Sequence, residues 1–234
     1  MATTETKFLK DVEKHVMEVI RDDGAHRHIR FRQPGTMCMH FDLITWPGYL
    51  CYTGDMGTYV FRRLHDMFEF FRRPEHCRYS IDKRYWAEKV EAGDRSATGN
   101  GVVEFSKERF DENARRWVAD FCQCQLDLVD EGDGDCDELL SALADLRDAV
   151  EDQVIGADSN DVRCYDAAHE FRFGQDDSEA WRDYFGKQGF DFGDFWEVDH
   201  TEYTHRFEWC CFALSWAVQR YDEAAAHKQT NTKD

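Results

Sequence analysis

Apolar positions along the chain follow two different periods. Residues 4–22 place Phe8, Val12, Val16, Val19 and Ile20 at helical spacing, which predicts an amphipathic helix ended by Asp22-Asp23-Gly24. The period then shortens to two. His28-Ile29-Arg30-Phe31-Arg32 alternates as a half-buried strand does, and Gln33-Pro34-Gly35 turns it. Met37–Thr45 and Tyr49–Thr53 flank Trp46-Pro47-Gly48, where Pro supplies a fixed φ and Gly a positive one. These segments predict a small three-stranded antiparallel meander near the N-terminus. Beyond Gly54-Asp55-Met56-Gly57, the apolar positions of Thr58–Phe71 fit a helix packed on that sheet and broken at Arg72-Arg73-Pro74. Ile81–Glu91 predicts a further helix.

The remainder reads as helical. Gly93–Gly101, rich in small and polar residues, is a linker candidate. Ser106 is placed to cap a helix running to about Leu128, with Phe110, Trp117, Val118, Phe121 and Leu128 as its core stripe. A loop of acids and glycines, Asp130–Asp137, precedes Glu138–Ile155, where Leu139, Leu143, Leu146, Val150 and Val154 face inward and acids outward. Asp161–Phe173 is looser, and residues 174–198 are rich in Gly, Asp and Phe. Thr201–Glu223 is apolar around most of its circumference, so it predicts a central buried helix. The fold class expected is α+β and mainly helical. Residues 1–98 form a near-neutral region of helix, sheet and helices; 99–234 form an acidic helical region packed on the first as one compact unit.

Composition narrows the class. Aromatic residues make up 15% of the 234 positions, which argues against disorder. No apolar run approaches the roughly 20 residues of a membrane span, and the opening MATTETKFLKDVEKH has no apolar core of an export signal. The 9 Cys are odd in number and contain no C-x-x-C pair, against a disulfide framework and against zinc-ribbon or thioredoxin chemistry. Cys122 and Cys124, two apart on a helix, point to different sides.

The formal net charge is -19, and its distribution says more than its total. Residues 1–100 carry 16 bases and 15 acids, whereas 101–234 carry 13 bases and 33 acids. Within the latter, 127–161 hold 13 acids and the single base Arg147, and 176–202 hold 9 acids and 2 bases. Duplex DNA carries one negative charge about every 1.7 Å of axis. A rigid helix displaying acids can imitate that density and occupy a protein's nucleic-acid channel. The candidate surface comprises Asp130, Asp133, Asp135, Asp137, Glu138, Asp145, Asp148, Glu151, Asp152, Asp176, Asp177 and Asp183. The bland alternative is a solvated acidic face without a partner.

Other constellations are weaker. Glu202-x-x-His205 would put two metal ligands on one helix face, but no second such motif exists, and a polar first helical turn explains it. Asp133-Gly-Asp135-Cys-Asp137 opens like a calcium loop, yet Glu138 and Ala144 stand where Gly and Glu are needed. His40 and Asp42, with His65 beyond them, could make an acid–base pair, but no nucleophile or oxyanion stabiliser accompanies them. No catalytic residue, metal or cofactor is assigned on these grounds. Arg27, Arg30, Arg32, Arg62, Arg63, Arg72, Arg73 and Arg78 could form a nucleic-acid patch with the acidic half as an internal lid. Overall acidity argues against direct nucleic-acid binding.

The stretch FDLITWPGYLCYTGDMGTYVFRRLHDMFEFFR (residues 41–72) resembles a family of small phage and prophage proteins of uncharacterised activity. GNGVVEFSKERF (99–110) and EYTHRFEWCCFALSWAVQRYD (202–222) fit the same family, while the acidic middle is more variable. The resemblance carries no site residues. It implies a setting, the bacterial host cytoplasm, and a role in counter-defence, anti-CRISPR or anti-restriction. The partner it implies is a host defence protein or ribonucleoprotein with a basic channel, not a membrane.

Overall fold

A computed structural model describes residues 3–74, 81–93, 101–128, 136–156, 160–174 and 189–231. The chain divides into two compact units, Met1–Glu104 with Tyr203–Asp234, and Phe105–Glu202.

The first unit is built on a six-stranded antiparallel sheet, which replaces the three-stranded meander expected from the sequence. Helix α1 (Glu5–Asp11) is followed by β1 (Val16–Asp23), β2 (His26–Arg32), β3 (Phe41–Trp46), β4 (Tyr49–Gly54), β5 (Gly57–Arg62), short helices α2 (Met67–Phe71) and α3 (Lys83–Ala87), and β6 (Val90–Ala92). The strands lie in chain order from β1 to β6.

Two expected helices are part helix and part strand: the first is helical only over Glu5–Asp11 and the second only over Met67–Phe71. Residues 16–22 satisfy a helical period only through Val16, Val19 and Ile20, and a bulge between Val19 and Arg21 shifts the strand's own alternation. Residues 58–62, expected in a helix packed on the sheet, instead belong to the sheet. Gly54–Gly57 closes a hairpin that turns Tyr59 and Phe61 into the core beside Leu50 and Tyr52.

Local chemistry fixes the sheet's register. Gly48 sits at φ 88 in the turn after Pro47, a conformation Gly adopts without steric penalty. Gly54 is required for another reason: a Cβ there would lie 2.2 Å from the His40 carbonyl oxygen and 2.7 Å from Phe41 Cα. Gly54→Ala is therefore expected to destabilise the first unit by about 1–3 kcal/mol, the range for overpacking. Denaturant unfolding checks this; a change within error would show that the β3–β4 pairing yields freely.

Alternation puts Ile29, Phe31, Phe41, Leu43, Leu50, Tyr52, Tyr59 and Phe61 on one buried face. The last helix, α7 (His205–Asn231), covers it with Phe207, Trp209, Cys210, Cys211 and Leu214. Phe41 links the layers, stacking on Phe31 and Tyr52 at 5.0 and 5.5 Å and meeting Trp209 edge-on at 5.6 Å. Thr204 starts the helix: its hydroxyl accepts from Phe207 N at 3.1 Å and donates to the Gly101 carbonyl at 2.8 Å. The helix therefore begins after Thr201–Tyr203, which form a short strand, β10.

The second unit is mainly helical: α4 (Lys107–Leu128), α5 (Cys136–Val150) running into a π-turn (Glu151–Ile155), α6 (Asp161–Glu170), the paired strands β8 (Arg172–Phe173) and β9 (Phe190–Asp191), and a 3-10 turn (Phe195–Glu197). Val103–Phe105 (β7) pairs with β10. The Ser106 hydroxyl accepts from Arg109 N at 3.3 Å at the start of α4. Phe110, Val118 and Cys122 of α4 pack with the apolar stripe of α5 and with Phe171, Phe190, Phe192 and Phe195. Leu128, expected in that core, is exposed.

His200 anchors this core. Its Nε2 donates to the Phe195 carbonyl at 3.1 Å, and its Nδ1 accepts from the Asn113 amide at 3.1 Å, which fixes a neutral tautomer. Burial pushes its pKa below the ordinary 6.5. Below that value the unfolded chain takes up a proton that the folded core resists, so the His200 contribution to stability falls on acidification. His200→Gln is expected to flatten this part of the stability–pH curve as the pH falls below about 6.5. An unchanged slope in the variant would place the origin of the pH dependence elsewhere.

Candidate functional site

The acidic site is built on α5 and its π-turn. Leu139, Leu143, Leu146, Val150 and Val154 are all at most 2% exposed, so the helix has a fixed inner side. Its opposite side displays Asp137, Glu138, Asp145, Asp148, Glu151 and Asp152, all exposed. The bond from Gly156 N to the Glu151 carbonyl at 2.8 Å closes the π-turn, and Lys107 Nζ holds the Ile155 carbonyl at 2.7 Å. These contacts extend the acidic face to the end of the segment.

The charges on this face are unevenly compensated. Glu151 receives a bidentate pair from Arg115 at 2.6 and 2.9 Å, which holds its carboxyl below the usual range. Both partners are half-exposed, so the pair contributes little to stability. Arg147 interacts with the Cys122 thiol and has no ion pair with another described residue. Asp145, Asp148 and Asp152 have no ion pair with another described residue. From Asp145 to Asp152 the helix rises about 10 Å and carries these three uncompensated acids, on the order of one every 3.5 Å, close to the 3.4 Å per charge along one strand of duplex DNA.

Position along the helix sharpens the contrast. Asp137 and Glu138 occupy the first turn, where the helix dipole favours acids. The other four lie beyond the first turn, where the dipole no longer favours acids, and Asp152 lies in the last turn, where it disfavours them. Local helix stability gives no reason for acids there.

Asp130, Asp133, Asp135, Asp176, Asp177 and Asp183 lie outside the described residues, as does the calcium-like loop apart from Cys136 and Asp137. Glu202 is an exposed residue of β10, while His205 opens α7 with its Nδ1 bonded to the Thr3 hydroxyl, so the two do not share a helix face. His40 and Asp42 are not a pair. His40 Nδ1 contacts the Met37 carbonyl at 2.7 Å, whereas Asp42 binds Arg30 twice at 2.9 Å and His28 Nε2 at 2.7 Å. Those bonds hold the Asp42 carboxyl below its usual pKa against the opposing effect of burial. No group of three or more His, Cys, Asp or Glu among the described residues could hold a metal ion.

The arginines that could form a nucleic-acid patch are largely engaged. Arg27 binds Asp66 twice at 2.9 Å beneath Phe68, Arg30 binds Asp42, and Arg72 binds Asp222 at 2.7 and 2.9 Å. Arg78 lies outside the described residues. Two contacts have no local signal in the sequence. Arg115 and Glu151 are 36 positions apart, and the buried Glu208 carboxylate is satisfied by Thr3 N at 2.7 Å and Lys83 Nζ at 2.5 Å.

The fold and site define a two-unit α+β protein, a neutral sheet unit with a separate acidic helical unit. No protein-family model matches the chain, nor does any curated protein or solved structure. No helix among the described residues is long and apolar enough to cross a membrane.

Proposed function

We propose that the protein is a phage-encoded counter-defence factor, acting in the bacterial host cytoplasm as a stoichiometric inhibitor of a nucleic-acid-binding complex. The complex is a CRISPR effector or restriction nuclease, and acids of the second unit take the place of nucleic acid in its basic channel. One observation carries this proposal. Phe105–Glu202 bear a formal charge of -19, while the first unit, with 20 bases and 20 acids, bears none. The excess therefore belongs to one compact unit, and an ordered helix presents part of it at nucleic-acid density. Such a surface steers association with a basic partner and makes the rate salt-sensitive.

The test is affinity capture from lysate of a phage-susceptible host, with low- and high-salt washes and identification by mass spectrometry. Recovery of a nuclease or CRISPR complex that high salt releases supports the proposal. Recovery of nucleic acid in place of such a complex, or no capture at low salt, counts against it.

A further inference from the structure

We propose that β1 is the seam of a homodimer, in which two copies pair their β1 strands antiparallel and join their sheets into one. β1 is the outer strand of the sheet and pairs with β2 alone among the described strands. It has eight residues, against three in the opposite edge strand β6. A long edge strand presents a row of unpaired backbone donors and acceptors. β1 also exposes apolar side chains: Val16 at 49%, Val19 at 38% and Ile20 at 47%.

Charge complementarity selects a second copy as the occupant. Glu18 pairs across from Arg30, and Arg21 from His28. Because Arg30 and His28 are two apart on β2, Glu18 and Arg21 lie on the same face, an arrangement that the bulge at Ile20 makes possible. A two-fold axis between Val19 and Ile20 then sets Glu18 of each copy against Arg21 of the other, and Val19 against Ile20. Opposite charges directly across a strand pair stabilise it, and like charges destabilise it. Charges and bulges on an edge generally deter pairing; here they favour one register over the others.

Two further features suit this interface. Beside β1 runs a groove of about 640 Å³ whose apolar wall includes Leu9, Val12, Met17, Phe31, Trp216 and Ala224. A second β1 adds Ile20 beside Val19 along it. The seam also belongs to the unit without net charge.

Sedimentation of the full chain over a concentration series tests the dimer, with the variants Glu18→Arg and Arg21→Glu. The wild type is expected at twice 27.6 kDa, dissociating on dilution. Each single variant places two like-charge pairs across the seam and is expected to weaken the dimer by about tenfold or more. Mixing the two variants restores opposite pairs, so heterodimers are expected at wild-type strength; the double swap restores the homodimer likewise. Among the described residues both positions make only exposed ion pairs, with Arg32 and with Asp23, so the fold tolerates the changes. A wild type that stays monomeric at every concentration overturns the proposal. So does a dimer indifferent to both swaps, or a mixture that fails to restore it.

Discussion

Trp209→Ala is expected to destabilise the first unit by about 3–5 kcal/mol, a large part of the 5–15 kcal/mol typical of a whole domain. Trp209 is fully buried and lies between the sheet and α1. Its ring meets Phe8 edge-on at 5.0 Å and Phe41 at 5.6 Å, and its Nε1 donates to Asp11 at 3.1 Å. Removing it opens a cavity against three elements at once and leaves the Asp11 carboxylate without that donor. Trp209→Phe keeps most of the volume and loses the hydrogen bond, so it is expected to cost about 1–2 kcal/mol. Denaturant titrations of both variants check the order. Equal losses would mean that the hydrogen bond, and not the cavity, sets the cost.

Helical elements with a buried stripe are legible in the sequence because their signal is local. Leu139, Leu143, Leu146, Val150 and Val154 share one period, and all five are buried in the helix they define. The same logic misleads at residues 16–22 and 58–71. Val16, Val19 and Ile20 fit a helical spacing, but pairing with β2 decides their conformation, and the partner residues lie beyond the tight turn at Gly24. Strand β5 is hidden because Phe61 and the residues of α2 make one continuous apolar pattern, although α2 begins only at Met67 behind the Asp66 cap. Sheet size is hidden for a related reason: each added strand depends on non-local hydrogen bonds.

The site divides in the same manner. The outward acids of α5 follow directly from its inward leucines, whereas neutralisation of Glu151 by Arg115 depends on α4 lying against α5. Counting by chain position also blurs the electrostatics. Residues 203–234 contribute equal numbers of acids and bases and belong with the neutral unit, so the second unit is more uniformly acidic than the C-terminal half.

For the quadruple variant Asp145→Lys, Asp148→Lys, Glu151→Lys and Asp152→Lys, the expected result is at least about a hundredfold loss of affinity for the basic partner, with the fold intact. The change moves the second unit from -19 to -11 and concentrates that difference on one face. All four side chains are exposed, and lysines near a helix C-terminus suit its dipole better than acids. The only described ion pair lost is Arg115–Glu151, a surface pair worth at most about 1 kcal/mol. Thermal unfolding should therefore change little, which separates a binding defect from a folding defect.

Displacement of nucleic acid from the captured host complex is the decisive test of mimicry, with wild type and quadruple variant compared at low and high salt. One equivalent of wild type is expected to release the bound nucleic acid at low salt and to release less at high salt, while the folded variant releases none. Equal release by both proteins, or capture of the complex with its nucleic acid still in place, would contradict mimicry by the acidic face of α5.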